Sequence, residues 1–304
     1  KENKKMIIKK SYYSFKNKHF LSILLMFIGS IAISFNGLVI RNIDLAEDWV
    51  VIFYRAFSFS FSIFLYLIFK YRKNVFKKIV QIRINGFLGG FVLSISNICF
   101  ILSMTSTTVA NTVFTISLIP FLTALLSFFI LKEKIKKITI FTMIVALVGV
   151  SIMFYGVFLI GALWGNILAL FAAFCFSIFT IILKFNKNTD MMPCLLISGI
   201  MAMALSLFQT MGSLQISIND FLLCFILGGF LSGFVNCCFV FAARYIMAGE
   251  LTLFFFIEIS LSPFWVWLFL NEYTTFNTLI GGMIILISIL IRAIYLIFDT
   301  RKVN

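Results

Sequence analysis

The chain has 304 residues, 62% of them hydrophobic and only 12% charged, with 40 phenylalanines and a formal net charge of +14. A soluble domain is roughly half apolar and about a quarter charged, so this composition excludes an ordinary water-soluble protein and reads as a polytopic membrane protein. The basic residues lie between and beyond the apolar runs, where they face phospholipid, so membrane lipid and not nucleic acid is the partner the charge implies.

A helix crossing a hydrocarbon core of about 30 Å needs about 20 apolar residues, whereas a barrel strand alternates over about ten. The runs here are long and unbroken, which predicts an all-α integral membrane protein. Residues 1–19 carry Lys1, Lys4, Lys5, Lys9, Lys10, Lys16 and Lys18 against one acid, Glu2. They are expected to form a cytoplasmic tail, not a cleaved signal. Ten transmembrane helices follow, predicted at 20–40, 49–69, 86–106, 109–131, 138–160, 163–183, 192–212, 221–243, 251–270 and 276–298, with a second short tail at 299–304. Their links are too short to hold an inserted soluble domain.

Lysine and arginine concentrate on the cytoplasmic side of membrane proteins. With the N-terminus inside, that side receives the tail lysines, the 70–83 and 132–137 clusters, Lys184, Lys187, Arg244, Arg292, Arg301 and Lys302. The outer loops keep Arg41 as their one basic residue and collect Asp44, Glu47, Asp48, Asp220 and Glu272. Both termini are therefore expected in the cytoplasm.

The chain also repeats itself. A shift of 139 lays Leu88, Gly89, Gly90, Phe91, Asn97, Cys99 and Phe100 on Leu227, Gly228, Gly229, Phe230, Asn236, Cys238 and Phe239, and carries Leu131 and Glu133 onto Leu270 and Glu272. A shift of 143 matches Ser34 and Arg41 to Ser177 and Lys184. The units are 20–160 and 161–298, of five helices each. Five is odd, so the second copy enters the membrane from the opposite side, which predicts two inverted repeats able to open a central site to either face in turn.

Ionisable groups inside the spans are costly and mark function by default. Arg55 lies in span 2 and Glu258 near the middle of span 9. Arg55 can instead snorkel outward or meet backbone carbonyls, and Glu258 can be a buried structural carboxylate. Phe254, Phe255, Ser262 and Trp265 share the helical face of Glu258, and Tyr54 neighbours Arg55. Aromatic stripes also arise from plain packing. Pro263 and Pro120 are expected to free the carbonyls of Ile259 and Ile116. Asn97 and Asn236, equivalent in the two copies, are expected close together at the interface of the halves, as glue between helices or on a solute path. Asn36 and Asn111 are weaker candidates. Together these residues imply a pocket for a small polar or cationic solute.

The six cysteines (Cys99, Cys175, Cys194, Cys224, Cys237, Cys238) fall inside apolar runs without a CxxC or partner histidines, and His19 is the single histidine. No metal, cofactor or catalytic residue is predicted. The chain has no GxxxxGKT phosphate loop for ATP hydrolysis, and no enzyme activity is expected.

Ten spans in two five-helix halves, the FYRA arginine of span 2, the LKEK and LNEY endings, and IEISLSPFWVWLFLNEY around Glu258 and Pro263 resemble the drug/metabolite transporter superfamily, in its EamA-type family. The likeness covers about Phe20 to Phe298. It implies transport without ATP hydrolysis, through a cavity walled by the first four spans of each half. Two departures stand out: no arginine of the second half matches Arg55, and the second proline comes four residues after its aligned position, Ile259. The expected function is a secondary transporter moving a small amino-acid-like or amine metabolite across a bacterial inner membrane by alternating access, with proton coupling or exchange. An exporter of drugs or toxic metabolites is the alternative, with a channel or non-transporting receptor further behind. Whether the chain forms a homodimer stays open.

Overall fold

The computed structural model describes residues 2–40, 42–43, 47–107, 109–153, 155, 163–270 and 276–299, with side chains throughout except at 2–16, 109, 110, 263, 266, 270 and 296–299. Among these residues it is helical, with no strand. In chain order the helices are α1 (Glu2–Ile33), α2 (Asn36–Ile40), α3 (Asp48–Tyr71), α4 (Val75–Gln81), α5 (Arg83–Ser106), α6 (Val109–Ile116), α7 (Ile119–Leu126), α8 (Lys137–Met153), α9 (Leu163–Phe185), α10 (Pro193–Gln209), α11 (Ile218–Phe225), α12 (Gly233–Ala242), α13 (Ala248–Thr252), α14 (Phe255–Leu270) and α15 (Phe276–Asp299). Wide π turns at Ser127–Leu131 and Ile226–Ser232 extend α7 and join α11 to α12.

Eight of the described segments are long and apolar enough to cross a membrane. The predicted spans 138–160 and 192–212 appear as the shorter α8 and α10, of 17 residues each, or about 25 Å at 1.5 Å per residue. The chain leaves α10 through Met211 and Gly212 at φ 50° and 83°, left-handed values that glycine adopts without strain. The backbone of the basic stretch 2–19 is helical and runs on into the first apolar segment as part of α1.

Three of the apolar segments are broken. α1 gives way to α2 at Ser34–Phe35, α6 to α7 at Ser117–Leu118, and α13 to α14 at Leu253–Phe254. Ser34 and Ser117 turn their hydroxyls onto the carbonyls of Ile31 and Phe114, at 2.6 and 2.5 Å, competing with the helical bonds. Pro120 stands at the start of α7 and has no N–H to give Ile116. In the second copy the break is not where the proline predicts it. α14 runs unbroken past Ile259 and Pro263, the side chain of Pro263 lying outside the described ones, and the turn opens just before Glu258. Here Thr252 bonds the carbonyls of Ala248 and Gly249, each at 3.3 Å.

The helices pack as α1 on α12 and α5 on α9; α5 on α10 and α3 on the Ile226–Ser232 turn; α7 on α9 and α14 on α1; α3 on α10, α7 on α13 and α8 on α15. Exchanging the members of the two sequence copies turns every one of these contacts into another of them or into itself. α14 also packs on α15, a contact that α7 and α8 do not match. The core is aromatic where α9, α12 and α14 meet: Phe176 stands edge-on to Phe239 and Phe255 at 5.2 and 5.0 Å, and Phe179 stacks on Phe239 at 6.3 Å.

Candidate functional site

Four helical segments enclose a cavity of about 30 Å³, lined by Arg55, Ala56 and Phe59 of α3, Asn97 of α5, Ser198, Gly199 and Ala202 of α10, and Ser232 and Asn236 on either side of the α12 start. One water needs roughly 10–15 Å³ on this measure, so there is room for about two. Asn97 and Asn236 meet here across the two copies. Arg55 and Ser198, Ala56 and Gly199, and Phe59 and Ala202 are also matched, at the shift of 143 that relates Ser34 to Ser177. The lining is therefore largely paired in position but not in size or charge.

Arg55 is fixed from both ends. Its Nη2 donates to Ser232 Oγ at 3.2 Å, while its carbonyl accepts from Ser58, whose hydroxyl also reaches the Cys224 carbonyl at 3.1 Å. Gly228 makes this approach possible, since any Cβ there would collide with the Arg55 carbonyl. The Nη1 of Arg55 is buried without a hydrogen-bond partner, and so is the hydroxyl of Ser198. Asn236 gives its amide to the Ser232 carbonyl at 2.9 Å. Tyr54 points elsewhere, donating to the Leu214 carbonyl at 2.9 Å with its ring edge-on to Phe221.

Glu258 occupies the first turn of α14, where the positive end of the helix dipole favours a carboxylate. It is half-buried, stands against the amide of Asn36 at the α1–α2 break, and shares an electrostatic field with Arg55. Among the described residues the two do not form an ion pair. Trp265 stacks on Phe35 at 4.4 Å and donates to Ser34 Oγ at 2.7 Å, and Ser262 faces Gly37. The equivalent serine of the second copy, Ser177, accepts from Thr123 of α7 at 3.1 Å. Phe254 is 2% exposed and Phe255 belongs to the aromatic core, so neither is brought to the cavity. Asn111 donates to Thr107 at 3.2 Å.

Three charged clusters escaped the sequence reading. Arg292, counted as an interfacial charge, is 2% exposed and bonds Glu250 and Thr139, the latter at 2.9 Å. Its position inside the run 276–298 was the available signal. Glu133 accepts from the first N–H of α13, at Ala248, at 3.1 Å, and pairs with Lys184 at 3.9 Å, which in turn donates to the Ile246 carbonyl. Nearby, Asp190 binds Lys70 at 2.9 Å, Tyr71, and Arg244 at 3.5 Å. Arg41, Asp44 and Glu272 lie outside the described residues.

The EamA-like transporter family matches the chain twice, over 20–155 and 163–293. A protein of Clostridium kluyveri described as an uncharacterized transporter is 31% identical over 196 residues, and the match covers 60% of this chain and 60% of the length of that relative. A crystal structure described only as that of a protein superposes with a TM-score of 0.73 over 88% of this chain and 96% of its own, at 14% identity, a likeness of fold. Matched by that family over 20–155 and again over 163–293, the chain belongs to the EamA-like transporter family.

Proposed function

We propose that the chain is a secondary transporter that moves a small polar metabolite, amino-acid-like or amine, across a bacterial inner membrane by alternating access between two inverted five-helix repeats. The observation that carries the reading is the cavity: it is lined from both copies, eight of its eleven lining residues fall at matched positions, and polar groups line it inside an otherwise apolar bundle. The wide turn Ile226–Ser232 brings Ser232 to it, irregular backbone of the kind that transporters confine to cavities.

Purified chain in proteoliposomes preloaded with unlabelled solute should accumulate the labelled solute transiently and saturably; linear, non-saturating flux would make it a channel. Glu258, half-buried and close to Arg55 without pairing to it, is the residue suited to exchange a proton or hold a cationic group. Glu258→Gln should then lose the pH dependence of net uptake while part of the exchange survives. Normal transport by that variant in both modes would remove Glu258 from the coupling.

A further inference from the structure

We propose that the cavity is a carboxylate subsite, built on Arg55 and Ser198, so that the solute carries a single free carboxylate. The proposal rests on the transporter reading and narrows it from an amine or an amino-acid-like solute to one with an acid group.

Charge comes first. Inside the spans, Arg292 is met by Glu250, whereas Arg55 has no carboxylate partner among the described residues. A guanidinium in so apolar a setting is costly unless an anion or several acceptors meet it. Arg55 has one acceptor, Ser232 Oγ on Nη2, and its Nη1 is buried and unbonded.

The neighbours point the same way. Ser198, 1% exposed, sits at the position matched to Arg55 and leaves its hydroxyl unbonded. A guanidinium nitrogen and a hydroxyl can each donate to one oxygen of a carboxylate, and Asn97 adds an amide at the same wall. Space for about two waters suits two carboxylate oxygens. A phosphate dianion would call for more cations than this one, and Glu258 in the same field opposes a second negative charge. Because the walls are paired but only α3 carries the charge, the acid group is held toward the first copy, which gives the solute one orientation.

The test uses the purified full chain and three matched probe series: the common L-amino acids, their α-amides, and their decarboxylated amines. Thermal-shift titration should rank at least one acid about tenfold or more above its own amide and amine, the loss expected for a charged hydrogen bond to a buried partner. Arg55→Gln should bring that acid down to the level of its amide, and Arg55→Lys should keep the preference, which separates a lost charge from a lost fold. Amides or amines that bind as well as the acids, absence of binding by every acid, or an acid preference that survives Arg55→Gln would each overturn the subsite. Counterflow with the best-binding probe keeps the two readings apart: saturable exchange of an amine without acid preference leaves the transporter and removes the subsite.

Discussion

At the level of single residues, the structure separates charges that hold the fold from charges that face the cavity. Arg292, Glu250 and Thr139 form a buried unit joining α15, α13 and α8. Removing one partner strands the other charge, so Arg292→Met should cost about 3–5 kcal/mol, and the double variant with Glu250→Gln should recover much of it. Melting of both single variants and the double in detergent measures this coupling; additive losses would mean the two groups act independently. Gly228 offers a second check. A methyl there meets the Arg55 backbone, so Gly228→Ala should destabilise by about 1–3 kcal/mol, with activity reduced because Arg55 must move. Arg55, Asn97 and Asn236 were legible because each is polar in an apolar run or recurs between the copies. Ser198 was not, since its match to Arg55 lies at a shift of 143 and serine is unremarkable in a helix.

At the level of elements, the broken segments and the short links carry most of what sequence patterning misses. Hydropathy marked the apolar runs well, yet it cannot see that α13 ends before Glu258, because Leu253 and Phe254 are as apolar as their neighbours. Nor can it see that Asp190, in the link before α10, gathers the ends of α3 and α12. Burial disfavours the charged form of Asp190, but the bonds from Lys70 and Tyr71 outweigh it, so its carboxyl is held below the usual range. A carboxyl lowered in the folded state adds stability that is fully present above its ordinary pKa of about 3.9 and is lost as pH falls through the folded value. Asp190→Asn should therefore cost about 1–2 kcal/mol near neutrality, discounted for partial exposure. Melting curves from pH 7 downward should show the gap between the two proteins closing below about pH 4; a gap independent of pH would mean that Asp190 acts through packing alone.

For the whole molecule, the contacts sort the helix ends into two groups. One end holds the Asp190 cluster, Glu133 with Lys184 and Ile246, and Glu250 with Arg292; His19 lies in the field of Lys136 and Lys184 there. The other holds Tyr54 with Leu214, Ser206 with the Trp49 carbonyl, Thr107 with Asn166 and Thr278 with the Met153 carbonyl. Followed along the chain, successive segments alternate between these ends, so α1 leaves the first end and its counterpart α9 arrives at it. That alternation supports the inverted relation, and the lysine and arginine excess at the first end supports placing it in the cytoplasm. Asn74, exposed between α3 and α5, belongs to that end, whereas Gln215, exposed between α10 and α11, belongs to the other. The native cysteines are buried or half-buried, so an impermeant thiol reagent should meet little background. In intact cells Gln215→Cys should label and Asn74→Cys should not, and permeabilisation should expose Asn74→Cys. Labelling of Asn74→Cys in intact cells would reverse the orientation, and labelling of both from one side would break the alternation on which the inverted repeat depends.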